Sequence, residues 1–538
     1  MRADPDVIVI GAGPNGLVAA AVLAQAGLQV LVLEANATIG GGVRSAEVTL
    51  PGFRHDTHSG FYPLFPVGPI GKLPLADHGL EWCHWPRPYG GGTPAGPGVA
   101  QERTPGETAA IFERACPGDG AGWRELYGWW EWASPTVLSG LFNPIGHPAP
   151  LIRGLPLLAR PRRLLEFGQL MVGSVRAMVE KTLQGEDARV WVTGSVLHSD
   201  LSADDAGGGA FALLLSALGQ QVGMPFPRGG AGAIASALIG LLERHGGQVL
   251  TSQPARRVVV RDSRAVAVQT PTDELPARRA VLATAQPKSL FLDLVGAQHL
   301  PSDFVRLVRR FRFGTGTFTL HLALSGKPTF KAEPLNDTLV FHLGRSVATM
   351  QEGVTAARDG MLPAHPLLIA GIHTLVDPTR APAGCHTFWA ETHVPTRIAR
   401  DEGDAISART WAEARAPFAE RLLDELECYA PGIRGLVLDL AANTPEDLEA
   451  ENPNLVGGDL GAGSYLLDQQ VVFRPLPGWF RYKTPIKGLY MSGAATHPGG
   501  GVHGASGANA ARVLLGDLRI ESLAGGLASL GRRAVGRP

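Results

Sequence analysis

The stretch Asp6-Val-Ile-Val-Ile-Gly-Ala-Gly-Pro-Asn-Gly16, continued by Leu17 to Ala26 and by Gln29-Val-Leu-Val-Leu-Glu34, decides the fold. Asp6 to Ile10 reads as a short buried strand and Gly11 to Gly16 as a tight turn. The Ala- and Leu-rich run from Leu17 reads as a helix ending near Gly27. Gln29 to Leu33 is a second buried strand closed by Glu34, which completes a β-α-β unit. Gly11, Gly13 and Gly16 allow close backbone approach to a pyrophosphate and present unpaired N–H donors at a helix N-terminus, whose dipole favours anions. Pro14 and Asn15 lie inside the same turn. Glu34, 18 residues after Gly16, stands where a carboxylate accepts from ribose hydroxyls. The glycine pattern alone is weak; strand, helix and acid in order make it a dinucleotide site.

Outward from this unit, Ile39-Gly-Gly-Gly-Val-Arg-Ser45 supplies a second glycine-rich turn, which points to FAD. Gly41 and Gly42 let the backbone pass close to a ligand, and Arg44 is placed to pair with phosphate; the alternative is a surface turn with a solvated arginine. A third glycine-rich segment, Gly493-Ala-Ala-Thr-His-Pro-Gly-Gly-Gly-Val-His-Gly504, precedes a helix expected over Gly507 to Leu515. Its backbone donors suit a flat or anionic ligand. His497 and His503 are candidate catalytic groups, although a lone histidine is as often structural.

Between these segments the chain changes character. Arg228 to Gly232 leads into a helix through Arg244, a strand follows at Gln248 to Thr251, and Arg257–Val260 with Ala265–Gln269 reads as a hairpin. Ala280 to Ala283 is another buried strand. Residues 76–224 differ, with Trp123, Tyr127, Trp129, Trp130 and Trp132 clustered and several helical stretches following; the aromatics read as core, with a tunnel lining as the alternative. Strands are expected near Thr317–Leu324 and Leu367–His373. The expected fold is α/β. A Rossmann-type FAD-binding domain is assembled from residues 1–75, 225–300 and 475–523. An inserted α+β substrate domain takes 76–224 and 301–474, and 524–538 form a flexible tail.

Composition bounds the chemistry. With 538 residues, 45% hydrophobic and 18% charged, the chain can bury a large core. A formal charge of −1 argues against nucleic acid as a partner. The four cysteines, Cys83, Cys116, Cys385 and Cys428, include no C-x-x-C pair, so neither a dithiol centre nor a zinc site is written. Scattered thiols fit a reducing, cytoplasmic setting. No apolar run reaches membrane-spanning length. Leu151 to Val172, however, mixes leucines with Arg153, Arg160, Arg162 and Arg163. That mixture suits an interfacial helix at an anionic bilayer, or else a solvated covering helix. The composition sets no oligomeric state.

Taken together, Gly11–Gly16, Glu34, Gly41-Gly42, Pro227–Gly232, Leu282–Ala285 and Gly488–Ala511 resemble the phytoene desaturase-like branch of the FAD-dependent amine oxidase superfamily. The likeness runs in order along nearly the whole chain. With Phe473-Arg-Pro-Leu-Pro477 included, it is similar to the carotenoid ketolases and the pyridine nucleotide-disulfide oxidoreductase domain-containing proteins. The resemblance implies FAD, with Gly11, Gly13 and Gly16 at the pyrophosphate and Glu34 at the adenosine ribose. Ala255 would bring its backbone to the adenine. Gly493 and the Thr496–Gly501 stretch, through Gly500, Gly501 and Val502, would lie by the flavin. Two positions depart: Val43 follows Gly42 where many members carry arginine, and His503 replaces an apolar residue. The implied reaction is hydride transfer to flavin N5 from an apolar, isoprenoid- or carotenoid-like substrate. His58, in Arg54-His-Asp-Thr-His-Ser-Gly60, is a further candidate near the flavin, or part of a polar loop. The resemblance also implies a peripheral position on the inner membrane face. Oxygen insertion, amine oxidation and a non-catalytic interaction role are the alternatives.

Overall fold

The computed structural model describes residues 4–535, with side chains for 4–524. Four consecutive β-branched residues, Val7–Ile10, form the middle strand of a five-stranded sheet and are fully buried. The strand order is Leu489–Met491, Ala280–Ala283, Val7–Ile10, Val30–Leu33, Gln248–Leu250, every neighbouring pair parallel. Continuous apolar strands are what a sheet covered on both faces requires. Val7 and Val9 pack with helix Pro14–Gln25, helix Gly232–Arg244 and the final helix. Ile8 and Ile10 pack on the opposite face with Val258, Val268, Phe291 and Phe304.

The second sheet has seven strands, in the order Val437–Asn443, Gly316–Leu324, His386–Val394, Leu368–Gly371, Thr338–Leu343, Arg87–Gly92, Val99–Ala100. Its pairs are antiparallel except Thr338–Leu343 with Arg87–Gly92. Alternation along the strands separates two faces. Phe318, Leu320, Leu322, Phe388 and Ala390 lie against Phe418, Leu422 and Leu426 of helix Trp411–Tyr429. Thr317, Thr319 and His321 point the other way.

Residues 105–222 are mainly helical. Trp123 and Trp130 are buried in that helical core, and Trp123 meets Trp191 edge-on at 5.4 Å. Trp129 and Trp132 sit nearer the surface and hold the Arg163 guanidinium between them, at 4.8 and 5.0 Å. The aromatic cluster therefore packs as core and as an arginine clamp.

Two elements differ from the sequence reading. The strand expected to reach His373 stops at Gly371, because His373 opens a short 3₁₀ turn and its Nε2 bonds to Gly60 O (2.8 Å). The last helix spans Ala505–Val535 rather than ending at Leu515, and so continues into the segment from Ala524. Apolar residues beyond Leu515 keep it docked: Leu518 still packs on the buried layer beneath the parallel sheet.

Candidate active site

The helix Pro14–Gln25 begins with no side-chain cap and no acidic residue in its first turn. Its leading N–H groups are thus not satisfied by side chains, as an anion site needs. The glycines of the turn divide into two kinds. A Cβ on Gly11 (φ +98°) would meet Thr284 Oγ1 at 2.3 Å, and one on Gly16 would meet Gly11 O at 2.0 Å. Those two are required by the protein's own packing. At Gly13 the nearest atom to such a Cβ is Gly41 Cα, 3.8 Å away, and at Gly42 nothing lies within 4 Å. Gly13, Gly41 and Gly42 therefore bring two backbones together beside open space, a cradle that fits a pyrophosphate. Asn15 belongs to the other side of the turn, where its carbonyl backs onto Gly507 of the final helix. Glu34 is buried and already oriented, accepting from Ala12 N (2.8 Å) and Asn36 N (2.9 Å). Gln253 N donates to Glu34 O at 2.8 Å, which lays the stretch leading to Ala255 beside the acid.

The glycine-rich turn near the C-terminus comes to the same place. Thr284, which faces Gly11, also faces Gly493: a Cβ there would stand 2.7 Å from Thr284 O. Gly493 O accepts from Thr496 Oγ1 (2.9 Å) and Ser506 Oγ (2.8 Å), while Gly500 N donates to the Tyr465 hydroxyl (2.6 Å). Gly501 and Val502 follow in left-handed conformations. Both candidate histidines here are committed to backbone. His503 bonds Gly500 O through Nε2 (3.1 Å) and accepts from Ala505 N at Nδ1 (3.0 Å). His497 Nε2 reaches Gly140 O at 3.3 Å. Burial lowers both to about 4, so both are neutral near pH 7.

Arg474, a residue of the Phe473–Pro477 motif, braces this turn. Its fully buried guanidinium donates to Ala494 O (2.8 Å), Gly461 O (3.0 Å) and Ser464 O (3.0 Å), and lies 4.9 Å over the Tyr465 ring. Asp459, pushed up to about 6 by burial, accepts from Gly314, Gly461 and Gly463 N–H groups at 2.8 Å each.

Arg44 pairs with Glu451, Nη2 to Oε2 at 3.1 Å, so a carboxylate is its partner within the chain. His58 lies nearby. Thr57 Oγ1 bonds its Nδ1 (2.8 Å), its Nε2 has no hydrogen bond, and Glu451 Oε2 is 3.7 Å away. Burial, then Arg44 and His321, lowers it to about 3.

No sequence motif marks the polar face of the seven-stranded sheet as a site. Thr319 stands in register between Glu391 and Asn443, and His321 is opposite Trp389. Thr319 Oγ1, Glu391 Oε2, Asn443 Nδ2, both His321 nitrogens and Trp389 Nε1 are buried without a hydrogen-bond partner among the described residues. Each such atom costs about 1–3 kcal/mol, and native cores rarely cluster them. Burial raises Glu391 to about 8 and lowers His321 to about 4, so both are neutral near pH 7. The loop 40–62 connects this face to the cradle. Gly40 N donates to Ala12 O (3.0 Å), Ser59 Oγ to Gly42 O (2.6 Å), and the His55 ring lies 5.3 Å from that of His321.

Known proteins bear on this arrangement. Residues 9–66 match the family model of the NAD(P)-binding Rossmann-like domain, and residues 171–354 that of flavin containing amine oxidoreductase. The chain is similar to the flavin-containing amine oxidoreductases. Pyridine nucleotide-disulfide oxidoreductase domain-containing protein 2 of Rattus norvegicus is 27% identical over 96% of this chain and 94% of that protein. A limonene dehydrogenase subunit of Castellaniella defragrans is 26% identical over 96% and 95%. The lycopene-forming phytoene desaturase of Pseudescherichia vulneris is 26% identical over 57% and 59%. The solved structure of cyclohexylamine oxidase from Brevibacterium oxydans shares the fold, with a TM-score of 0.58 at 17% identity, covering 96% of this chain and all of that one. The matches support an oxidoreductase with FAD as cofactor, and the Gly13–Gly41 cradle beside an oriented Glu34 fits that group.

Proposed function

We propose that this protein is an FAD-dependent oxidoreductase that takes a hydride from a C–H bond of a small organic molecule with an apolar, isoprenoid-like body. The convergence of the Gly11–Gly16 and Gly493–Gly504 turns on Thr284 carries the reading. The full-length similarity to a limonene dehydrogenase subunit and the partial similarity to phytoene desaturases favour the substrate class. In this reading residues 1–75, 225–300 and 475–523 hold FAD and residues 76–224 with 301–474 hold substrate. Bound FAD supplies the hydride acceptor. The helix N-terminus at Pro14 and the Gly13 and Gly42 backbones bind the pyrophosphate; Glu34 accepts from the ribose; Ala255 borders the adenine. Gly493, Thr496, Gly500, Gly501 and Val502 border the ring system, with His497 and His503 as neutral braces. Amines form a second substrate class, favoured by the amine oxidoreductase match over 171–354.

The surface of residues 148–172 supports a peripheral contact with an anionic membrane on the cytoplasmic side. Leu151 (77% exposed) and Leu165 (76%) project to solvent beside Arg160 and Arg162. No helix among the described residues is long and apolar enough to cross a membrane.

Anaerobic titration of the flavoprotein with limonene, phytoene and cyclohexylamine tests the reading. Bleaching of the flavin by an isoprenoid supports it; bleaching by the amine alone transfers it to the second class; bleaching by none contradicts it.

A further inference from the structure

The polar sheet face is more than the proposed hydride transfer from an apolar body needs. We infer that Thr319, Glu391, Asn443 and His321 form a recognition site for a neutral oxygen function, a hydroxyl or carbonyl, carried by the substrate. This inference rests on the reading above and narrows it: the substrate is not a pure hydrocarbon.

Three observations carry it. The first is placement. Thr319 is directly across from both Glu391 and Asn443, so three side chains on three adjacent strands face one spot, and His321 is the next residue on that face. Paired positions on neighbouring strands bring their Cβ atoms within about 5 Å. The second is chemistry. The unpartnered atoms comprise the Asn443 amide nitrogen as donor, the Glu391 carboxyl oxygen, the Thr319 hydroxyl and the two imidazole nitrogens. Donors and acceptors are mixed, which matches a group that both gives and accepts hydrogen bonds. An apolar substrate would leave all of them unsatisfied, the arrangement proteins avoid. The third is charge. Glu391 is held neutral by burial. The other nearby carboxylates are already paired, Asp56 with Arg380 and Glu451 with Arg44. An ammonium would gain a counter-charge here only by drawing the proton from Glu391, whereas a neutral oxygen bonds the carboxyl as it stands, which favours the oxygen over an amine.

The site also differs from the rest of the sheet. His342 and His393 on the same face are satisfied, by Trp191 O (2.8 Å) and Leu197 O (2.6 Å). The unsatisfied atoms include those of His321, whose ring meets His55 of the loop 40–62 that leads to the cradle; Thr387 Oγ1, further along the same face, is unpartnered too.

The test uses the FAD-bound protein and three molecules of one ten-carbon skeleton: myrcene, geraniol and geranylamine. Binding is followed by calorimetry and by perturbation of the flavin absorption. Geraniol is expected to bind about tenfold more tightly than the other two. Thr319→Val and Glu391→Met should each remove that preference, weakening geraniol without weakening myrcene, while flavin content is unchanged. Both should also raise the melting temperature, because apolar isosteres relieve buried unpartnered atoms. A merely structural role predicts the reverse, a lower melting temperature. If either variant fails to fold, the other decides. Equal binding of the three molecules, no binding, tightest binding of geranylamine, or an undiminished preference in the variants would overturn the inference. A protein that lacks flavin would fail the FAD reading instead, and calorimetry would still report on this site.

Discussion

The Arg380 guanidinium meets Asp56 Oδ2 at 2.5 Å with both side chains buried. Asp56 also accepts from Ser45 Oγ (2.6 Å) and Ala231 N (2.8 Å), so one carboxylate ties together the loop after the cradle, the Arg228–Gly232 turn and the short turn of residues 378–380. Burial opposes its charge, but Arg380 prevails and keeps the carboxyl below its ordinary range. Removing Asp56 leaves the buried Arg380 charge with only Asp377 Oδ2, 4.0 Å away, and without its short hydrogen bond. Asp56→Ala should cost about 3–5 kcal/mol in denaturant unfolding. Adding Arg380→Met should recover part of that loss; a cost under about 1 kcal/mol would contradict the assignment.

Two glycines of one turn should behave differently. Gly13 has extended backbone (φ −76°) and room for a methyl, so Gly13→Ala should fold normally and bind FAD about tenfold more weakly. Gly16→Ala forces a Cβ to 2.0 Å from Gly11 O and should lower the melting temperature as well. The flavin-to-protein absorbance ratio and a thermal melt, measured on both variants, separate the two effects.

Arg474 should act on the Gly493–Gly504 turn through its carbonyl contacts. Arg474→Met strands the oxygens of Gly461, Ser464 and Ala494 and should destabilise the protein by about 3 kcal/mol while lowering flavin retention. Arg474→Lys should not rescue it, because one ammonium cannot span these acceptors. Denaturant midpoints of the two variants check this.

Much of this was legible in the residues. Asp6 to Glu34 carried its own strand, turn and helix signals, because apolar runs and glycine spacing are local properties. The Gly493–Gly504 turn was legible for the same reason. The polar sheet face was not. Thr319, His321, Trp389 and Glu391 do show a period-two pattern, but alternation normally means that the polar side meets water. Only the packing reveals that both sides are buried. Asp459 was silent as well, and Arg474 was legible only as part of the Phe473–Pro477 motif, since the partners of both are backbone atoms whose placement no side-chain pattern signals. Arg44 was read by its charge alone, and Glu451, its partner, lies 407 residues away.

Acid should unfold the protein early. His58, His321, His373, His497 and His503 are depressed by burial to between about 3 and about 4. In the unfolded chain each titrates near 6.5. Below that value the unfolded state binds more protons, so the stability these groups contribute is present above pH 6.5 and is lost as pH falls toward 4. Each contributes a slope of up to about 1.4 kcal/mol per pH unit. Glu391 has the opposite sign: raised to about 8, it contributes below its unfolded value and is lost as pH rises through 8. Urea midpoints at pH 7.5 and 5.5 should show the acid loss, and Glu391→Gln should steepen it, by removing a contribution that falls as pH rises from about 4.5 to about 8. An unchanged midpoint at pH 5.5 would refute the buried neutral histidines.

The exposed leucines of residues 148–172 should matter only at a membrane. Leu151→Asp with Leu165→Asp should abolish co-sedimentation with phosphatidylglycerol vesicles and leave the melting temperature unchanged. Equal sedimentation of the variant and the parent protein would refute the contact.

Whether the glycine-rich turns around Thr284 hold FAD is decided by the visible absorption spectrum of the purified protein, recorded before and after denaturation. Flavin bands are expected in the folded protein, with release of FAD into solution once it unfolds. A folded, colourless protein that takes up no added FAD would contradict the assignment.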